Sequence, residues 1–144
     1  MKNVKIVAVF AENKLGQMAR ITGVLADAGV NVRWVTIATT ESFGVIKFLV
    51  DQSEIAYHKL KEQGFAVSLL DVLAIEVSDR PGGLYRVATV FYENNINVEN
   101  SSGFVLEPGK RAVLLIEVKD IETAKEVLLR QKLKLLSEDD LLNV

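Results

Sequence analysis

The chain has 144 residues, of which 49% are hydrophobic and 25% charged, and this is the composition of an ordinary globular protein. Its formal net charge of −2 gives no electrostatic reason to expect nucleic acid as a partner. Because it contains no cysteine and a single histidine, disulfides and the common metal sites are excluded, and we expect no metal and no cofactor. No apolar run approaches the length that spans a bilayer, so we expect a cytoplasmic protein without membrane contact.

The first half of the chain predicts the order β-α-β-β-α-β. Strands are predicted at residues 4–10, 30–40, 45–50 and 65–70 from their β-branched and apolar content. A first helix ends at Gly29, where a left-handed residue commonly follows a helix, and a second helix is capped by Ser53 and ends at Gly64.

The second half predicts the same order. Strands are expected at residues 73–78, 96–106, 112–118 and 133–136, and helices at 83–94 and from Asp120, as the cap, to Gln131. Pro108 and Gly109 lie between the second and third of these strands, where a tight turn is needed. Ser137 ahead of three acidic residues predicts a capped terminal turn in preference to a divalent-cation patch.

An internal repeat relates the two halves. The segment Asn13-Lys14-Leu15-Gly16-Gln17-Met18 returns as Asp79-Arg80-Pro81-Gly82-Gly83-Leu84, and Asn31-Val32 returns as Asn97-Val98. We therefore predict two related domains, residues 1–70 and 71–144. Each is expected to be an α+β ferredoxin-like sandwich, an antiparallel sheet with its helices on one face.

The central strands carry too many apolar residues for a sheet that is covered on one face. Residues 6–10, 45–50 and 113–116 are apolar at nearly every position, whereas a half-exposed strand would alternate. The second face is therefore expected to be covered by another copy of the protein, which predicts a homodimer or a higher homo-oligomer.

The repeated loop is the candidate site. In both copies a strand ends in a small polar loop, and a helix begins directly after a glycine. The first amides of a helix have no partner within the helix and can receive a carboxylate, while Asn13 or Asp79 could meet an ammonium. The competing interpretation is that Gly16 and Gly82 serve only the geometry of the turn.

The loop followed by Ile96-Asn97-Val98 resembles the signature of the ACT domain family, over essentially the whole chain in two copies. The resemblance implies the β-α-β-β-α-β fold and the binding of a small-molecule amino acid at interfaces between domains. The residues it implies for ligand binding are Asn13, Leu15, Gly16, Gln17, Met18 and Asn31 in copy one, and Asp79, Pro81, Gly82, Gly83, Leu84 and Asn97 in copy two.

The function predicted from these features is a non-catalytic regulatory protein that binds an amino acid. Copy one departs from the family pattern, with Leu15 where proline is usual and Asn13 where aspartate is usual, so the two sites need not be equally occupied. The chain also looks like the small regulatory subunits of acetolactate synthase, which makes a subunit that contacts a partner enzyme of amino-acid metabolism the alternative. A third class, an enzyme of acylphosphatase type, would need an arginine in the loop, where copy two carries Arg80.

Four further side chains are assigned no site role. His58 lies in mid-helix without a nearby nucleophile and is expected to face solvent. Trp34 is expected in the core or at an interface. Arg20 and its repeat Arg86 are expected to be outward-facing helix charges, although Arg86 could reach a carboxylate.

Overall fold

The computed structural model describes residues 3–143, which form seven strands and five helices. In chain order they are β1 (Val4–Glu12), α1 (Gln17–Asp27), β2 (Val32–Thr39), β3 (Phe43–Val50), α2 (Ser53–Glu62), β4 (Ala66–Ser78), α3 (Gly83–Glu93), β5 (Asn100–Glu107), β6 (Arg111–Glu117), α4 (Ile121–Arg130), β7 (Leu135–Leu136) and α5 (Glu138–Leu142). The chain divides into two compact units, Lys5–Leu70 (domain 1) and the residues from Asp71 onward with the start of β1 (domain 2).

Domain 1 is an antiparallel sheet in the order β2-β3-β1-β4. The central strand β3 pairs with both neighbours, so that Phe48 lies opposite Val7 on β1 and Val35 on β2. Helices α1 and α2 cover one face, where Ile21 and Leu60 pack with residues of the strands in a single buried cluster. The helices therefore lie on one face of the sheet, as the sequence predicts.

Domain 2 repeats this arrangement. Its sheet has the order β5-β6-β4-β7, and Ser78 at the end of β4 lies opposite Arg111 at the start of β6. Helices α3 and α4 bury Phe91 and Leu128 against the strands in a second cluster. The short helix α5 begins with a capping box in which the Ser137 hydroxyl accepts from the amide of Asp140 and the Asp140 carboxylate accepts from the amide of Ser137. The ferredoxin-like fold predicted for each half is confirmed.

The central strands are buried on both faces. Val7 and Val9 belong to the helix-side cluster of domain 1, and Ala8 between them, on the opposite face, is also fully buried. In domain 2 the same holds for Ile75, on the helix side, and its neighbour Ala74. Since successive residues of a strand point to opposite faces, burial on both faces explains why these runs do not alternate.

Three predicted boundaries are wrong. Residues 65–70 and 73–78 form one continuous strand, β4, because nothing in Leu70-Asp71-Val72 interrupts an extended backbone. Strand β5 begins at Asn100, since its first ladder partner is Glu117 at the end of β6 and residues 96–98 extend past that end. Ser53 is the first residue of α2, and the cap position is taken by Gln52.

Candidate functional site

The two repeated loops have the same backbone conformation. Gly16 and Gly82 precede α1 and α3 with φ of 87° and 88°, in the left-handed region that favours glycine. Within residues 3–143, neither helix start receives a side-chain cap hydrogen bond, and neither first turn carries an acidic residue. Both helices therefore present positively polarised amide groups that a negatively charged ligand group could approach.

Asn13 and Asp79 join each loop to the opposite hairpin turn. The Asn13 side-chain amide donates to the carbonyl oxygen of Thr40 at 3.1 Å, and Oδ2 of Asp79 accepts from the backbone amide of Gly109 at 2.7 Å. The donor in copy one meets a carbonyl and the acceptor in copy two meets an N–H group. The difference between asparagine and aspartate at this position thus follows the turn that each side chain contacts.

In domain 2 a groove lies between the start of α3 and the helix-side surface of β5 and β6, and we call it the α3 groove. Its volume is about 530 Å³. Asp79, Pro81 and Leu84 border it from the loop and helix, and Gly103 and Val105 border it from β5. Its lining therefore combines an acidic group, Asp79, and a basic group, Arg80, with apolar walls and the start of a helix.

The corresponding space in domain 1 is about 100 Å³. The register explains the difference, because Ile37 lies opposite Ile46 in domain 1, and Gly103 lies opposite the equivalent Leu114 in domain 2. Ile37 borders the small space with its side chain, whereas Gly103 has none. The two repeated loops therefore border grooves of very different size.

The structure brings some of the predicted residues together and separates others. Asp79, Pro81 and Leu84 border the α3 groove, and Asn13, Gln17 and Met18 border its small counterpart. Gly82 and Gly83 border a different cavity, next to the loop between α4 and β7. The two remaining residues of the copy-one loop, Leu15 and Gly16, are exposed and do not border the small space.

Asn31 and Asn97 do not lie with the loops. Strand β2 begins beside Val50, at the end of β3, and reaches the loop end of the sheet only at Thr39, about 23 Å away at the usual rise per residue. The backbone amide of Asn31 donates to Asp51 at that far end. Asn97 borders another cavity beside the start of α4. In a single domain these asparagines and the loop therefore do not form one site.

The β5 side of the groove, which Gly103 borders, is not predicted from the sequence. A signal was present, because a glycine inside an otherwise regular strand often marks a place where something approaches the backbone closely. Two other side chains can be placed directly. His58 is exposed on α2, as expected, and Trp34 on β2 is partly buried.

The described residues contain no cluster of three or more histidine, cysteine, aspartate or glutamate side chains arranged to hold a metal ion. Across residues 3–143, none of the helices is both long enough and apolar enough to cross a membrane.

Comparison with known proteins identifies relatives over the whole length. A family model described as an ACT domain pair matches residues 2–144. The crystal structure of protein BT0572 from Bacteroides thetaiotaomicron is 30% identical, with a TM-score of 0.90 over 99% of this chain and 97% of that one. The ligand-free regulatory subunit of aspartate kinase from Thermus thermophilus is 16% identical, with a TM-score of 0.62 over 90% of this chain and 93% of that one. No curated protein matches the sequence.

Proposed function

Because the chain belongs to the ACT domain family, as a pair of ACT domains, we propose that it is a non-catalytic regulatory protein that binds an amino acid in the α3 groove. The family supports a regulatory, ligand-binding role, and the groove is the space in domain 2 that best suits a zwitterion with a side chain. The observation that carries the proposal is the size of this groove, about 530 Å³ against about 100 Å³ for its counterpart.

The chemistry of the groove matches the parts of an amino acid. A ligand ammonium would bind the carboxylate of Asp79, which uses Oδ2 for the turn and has a second oxygen that can accept. A ligand carboxylate would bind at the first turn of α3, where Leu84 borders the groove. Leu84 and Val105 are large apolar side chains that remain exposed beside the groove, and their burial by the ligand side chain would favour binding.

Regulation would follow if the ligand binds one arrangement of the protein more tightly than another. The similar fold of an aspartate kinase regulatory subunit makes an enzyme of amino-acid metabolism the class of partner that we propose. Binding of the amino acid would then change the contact with that enzyme.

A second candidate is a subunit that regulates its partner by protein contact alone, without a ligand. The observation that favours it is the exposure of Val35 and Ile37 on β2, which is an edge strand of its sheet. Unpaired edge strands with apolar side chains are surfaces on which another chain can add.

A thermal-shift screen against the twenty amino acids distinguishes the two candidates. A ligand at one hundred times its dissociation constant stabilises the folded state by about 2.7 kcal/mol, which raises Tm by several degrees in a chain of this size. We expect one amino acid or a chemically related few to give such a shift. No shift with any of the twenty would favour the subunit that acts by contact alone.

A matched pair of variants tests which domain binds. Val105→Trp places a large side chain in the α3 groove, and Thr39→Trp makes the same change at the equivalent exposed position in domain 1. We expect Val105→Trp to abolish the ligand-dependent rise in Tm and Thr39→Trp to leave it unchanged. The reverse result would place the site in domain 1.

A further inference from the structure

Domain 2 contains a second space, next to the α3 groove, whose walls are strongly basic. Arg80 and Pro81 border both spaces. This cationic cavity has a volume of about 380 Å³ and lies between the start of α3, the start of β6 and the loop between α4 and β7. Six basic side chains border it, opposed by one carboxylate, Glu76; they are Arg80, Arg86, Lys110, Arg111, Lys132 and Lys134. The lining therefore has a net charge of +5 in a chain whose net charge is −2.

Two carboxylates neutralise only part of this lining. Glu76 pairs with Arg111 at 3.0 Å and with Lys134 at 3.4 Å. Glu107, which does not border the cavity, pairs with Arg111 at 2.8 Å and with Lys110 at 3.9 Å. Within residues 3–143, the side chains of Arg80, Arg86 and Lys132 form no ion pair and no side-chain hydrogen bond. Cations held near one another without counter-charges repel, so an anion that entered the cavity would relieve an unfavourable energy as well as gain contacts.

The fold itself does not require these charges, as domain 1 shows. The positions equivalent to Arg80 and Arg86 are Lys14 and Arg20, which keep the charge. The positions equivalent to Lys110, Arg111, Lys132 and Lys134 carry no charge; they are Ser42, Phe43, Gly64 and Ala66. The same backbone thus exists with two basic residues in domain 1, and domain 2 carries four more around one space.

Lys132 occupies a backbone position that glycine would suit better. It has φ of 59° directly after α4, and its equivalent after α2 is Gly64 with φ of 86°. In both domains the next residue's amide bonds back into the helix, Leu133 to Leu128 and Phe65 to Leu60. A left-handed conformation is unfavourable for a residue with a side chain, so domain 2 keeps a lysine at the cavity at some expense to stability.

We propose that the cationic cavity binds a small anion with two or more negative charges, of the class of diphosphates, phosphate esters and polycarboxylates. A single carboxylate would offset one of the three cations without an ion pair, Arg80, Arg86 and Lys132, whereas a polyanion offsets several at once. Arg80 and Arg86 are suited to it because a guanidinium donates two parallel hydrogen bonds to a phosphate or carboxylate. The volume of the cavity accommodates a small molecule and excludes a folded partner.

Calorimetric titration at low salt with inorganic pyrophosphate, with citrate and with acetate tests the proposal. We expect pyrophosphate, citrate or both to bind, with an affinity that falls as NaCl is added, because salt screens charges at an open site. Pyrophosphate alone would indicate phosphate recognition, and citrate alone would indicate carboxylate recognition. Acetate binding as tightly as either polyanion would overturn the proposal, as would the absence of heat with all three.

Two variants locate the binding. Arg80→Gln should weaken polyanion binding about tenfold, as the loss of a charge-assisted hydrogen bond does, and Lys14→Gln, the same change in the equivalent loop of domain 1, should leave it unchanged. Lys132→Gly should also weaken binding, and it cannot act by unfolding the protein because it restores the residue that suits the backbone there. Equal weakening by Lys14→Gln and Arg80→Gln would show a non-specific charge effect and overturn the proposal.

Lys132→Gly and Val105→Trp distinguish these measurements from the amino-acid screen, because Arg80 borders both spaces whereas Lys132 borders the cationic cavity and not the α3 groove. Val105→Trp blocks the α3 groove and does not border the cationic cavity. If the protein binds pyrophosphate but none of the twenty amino acids, the cavity proposal holds and the proposed function is wrong. If it binds an amino acid but no polyanion, the proposed function holds and the cavity proposal is wrong.

Discussion

Asn13 and Asp79 show how one residue position can serve two different turns. Each side chain connects a loop to a hairpin, but Asn13 donates to a carbonyl oxygen and Asp79 accepts from an amide. From the sequence, both side chains are predicted to bind a ligand ammonium. The structure adds a local role for each, which accounts for the different residue types in the two copies without reference to a ligand.

Exchanging asparagine and aspartate at these two positions should lower stability by different amounts. Asn13→Asp removes the donor and places a carboxylate against the oxygen of Thr40, so we expect it to lower the free energy of unfolding by about 0.5–1.5 kcal/mol. Asp79→Asn keeps an oxygen that can accept from Gly109 and should cost less. Urea unfolding of both variants measures the difference, and an equal loss would show that these hydrogen bonds do not determine the choice of residue.

At the scale of the element, the starts of α2 and α4 differ although they occupy equivalent places in the repeat. Asp120 caps α4, since its carboxylate accepts from the hydroxyl of Thr123 at 2.6 Å and from its amide at 3.1 Å. These hydrogen bonds, that from the hydroxyl first, lower the pKa of Asp120 below its ordinary value of 3.8. The equivalent Gln52 does not cap α2 and donates to the carbonyl of Gly29.

The lowered pKa makes the contribution of Asp120 dependent on pH. The charged carboxylate is the form that stabilises the fold, so its contribution is complete above the unfolded-state pKa near 3.8 and is lost as the pH falls through the lower folded-state pKa. We expect Asp120→Ala to lower Tm at pH 7, with the difference from the unsubstituted protein narrowing below pH 3.8. Gln52→Ala is the control, and its effect on Tm should not change over the same pH range. If the difference in Tm between Asp120→Ala and the unsubstituted protein stayed constant with pH, the assignment of Asp120 as the cap would be wrong.

At the scale of the whole molecule, we propose that the protein assembles into a homo-oligomer. The apolar central strands are expected from the sequence to be covered on their second face by another copy of the protein. They do not require this, because residues on both faces of those strands are buried in the single chain. An exposed apolar surface that another copy could cover is the edge strand β2, where Val35 and Ile37 are 40% and 49% exposed. Pairing of two such edges would satisfy their backbone groups and bury these side chains.

Sedimentation velocity at micromolar concentration tests this assembly. We expect the unsubstituted protein to sediment as a dimer or a larger species, and Ile37→Lys to shift it towards the monomer, because a charge on the edge strand opposes pairing. Leu129→Lys, which changes an exposed apolar residue on α4, should leave the distribution unchanged. An unsubstituted protein that is monomeric would overturn the assembly and leave the ligand-binding proposals standing.

The sequence by itself determined the fold, because the repeat, the helix-ending glycines and the order of apolar runs are local patterns that each element needs in order to form. It also located the two loops, whose glycines are required by a left-handed backbone at Gly16 and Gly82. The family resemblance over the whole chain is confirmed. What local patterns could not reveal was where the predicted site residues lie relative to one another, which is why Asn31 and Asn97 were grouped with loops at the other end of the sheet.

Only the tertiary structure decided what each loop borders. Strand register places Gly103 at the groove of domain 2 and Ile37 at the equivalent place in domain 1, and pairing across a sheet cannot be deduced from either segment alone. The cationic cavity likewise combines residues from Glu76 to Lys134 that are unremarkable as isolated surface charges. Their significance is collective, because electrostatic energy depends on distances in space that the fold sets between residues distant in the chain.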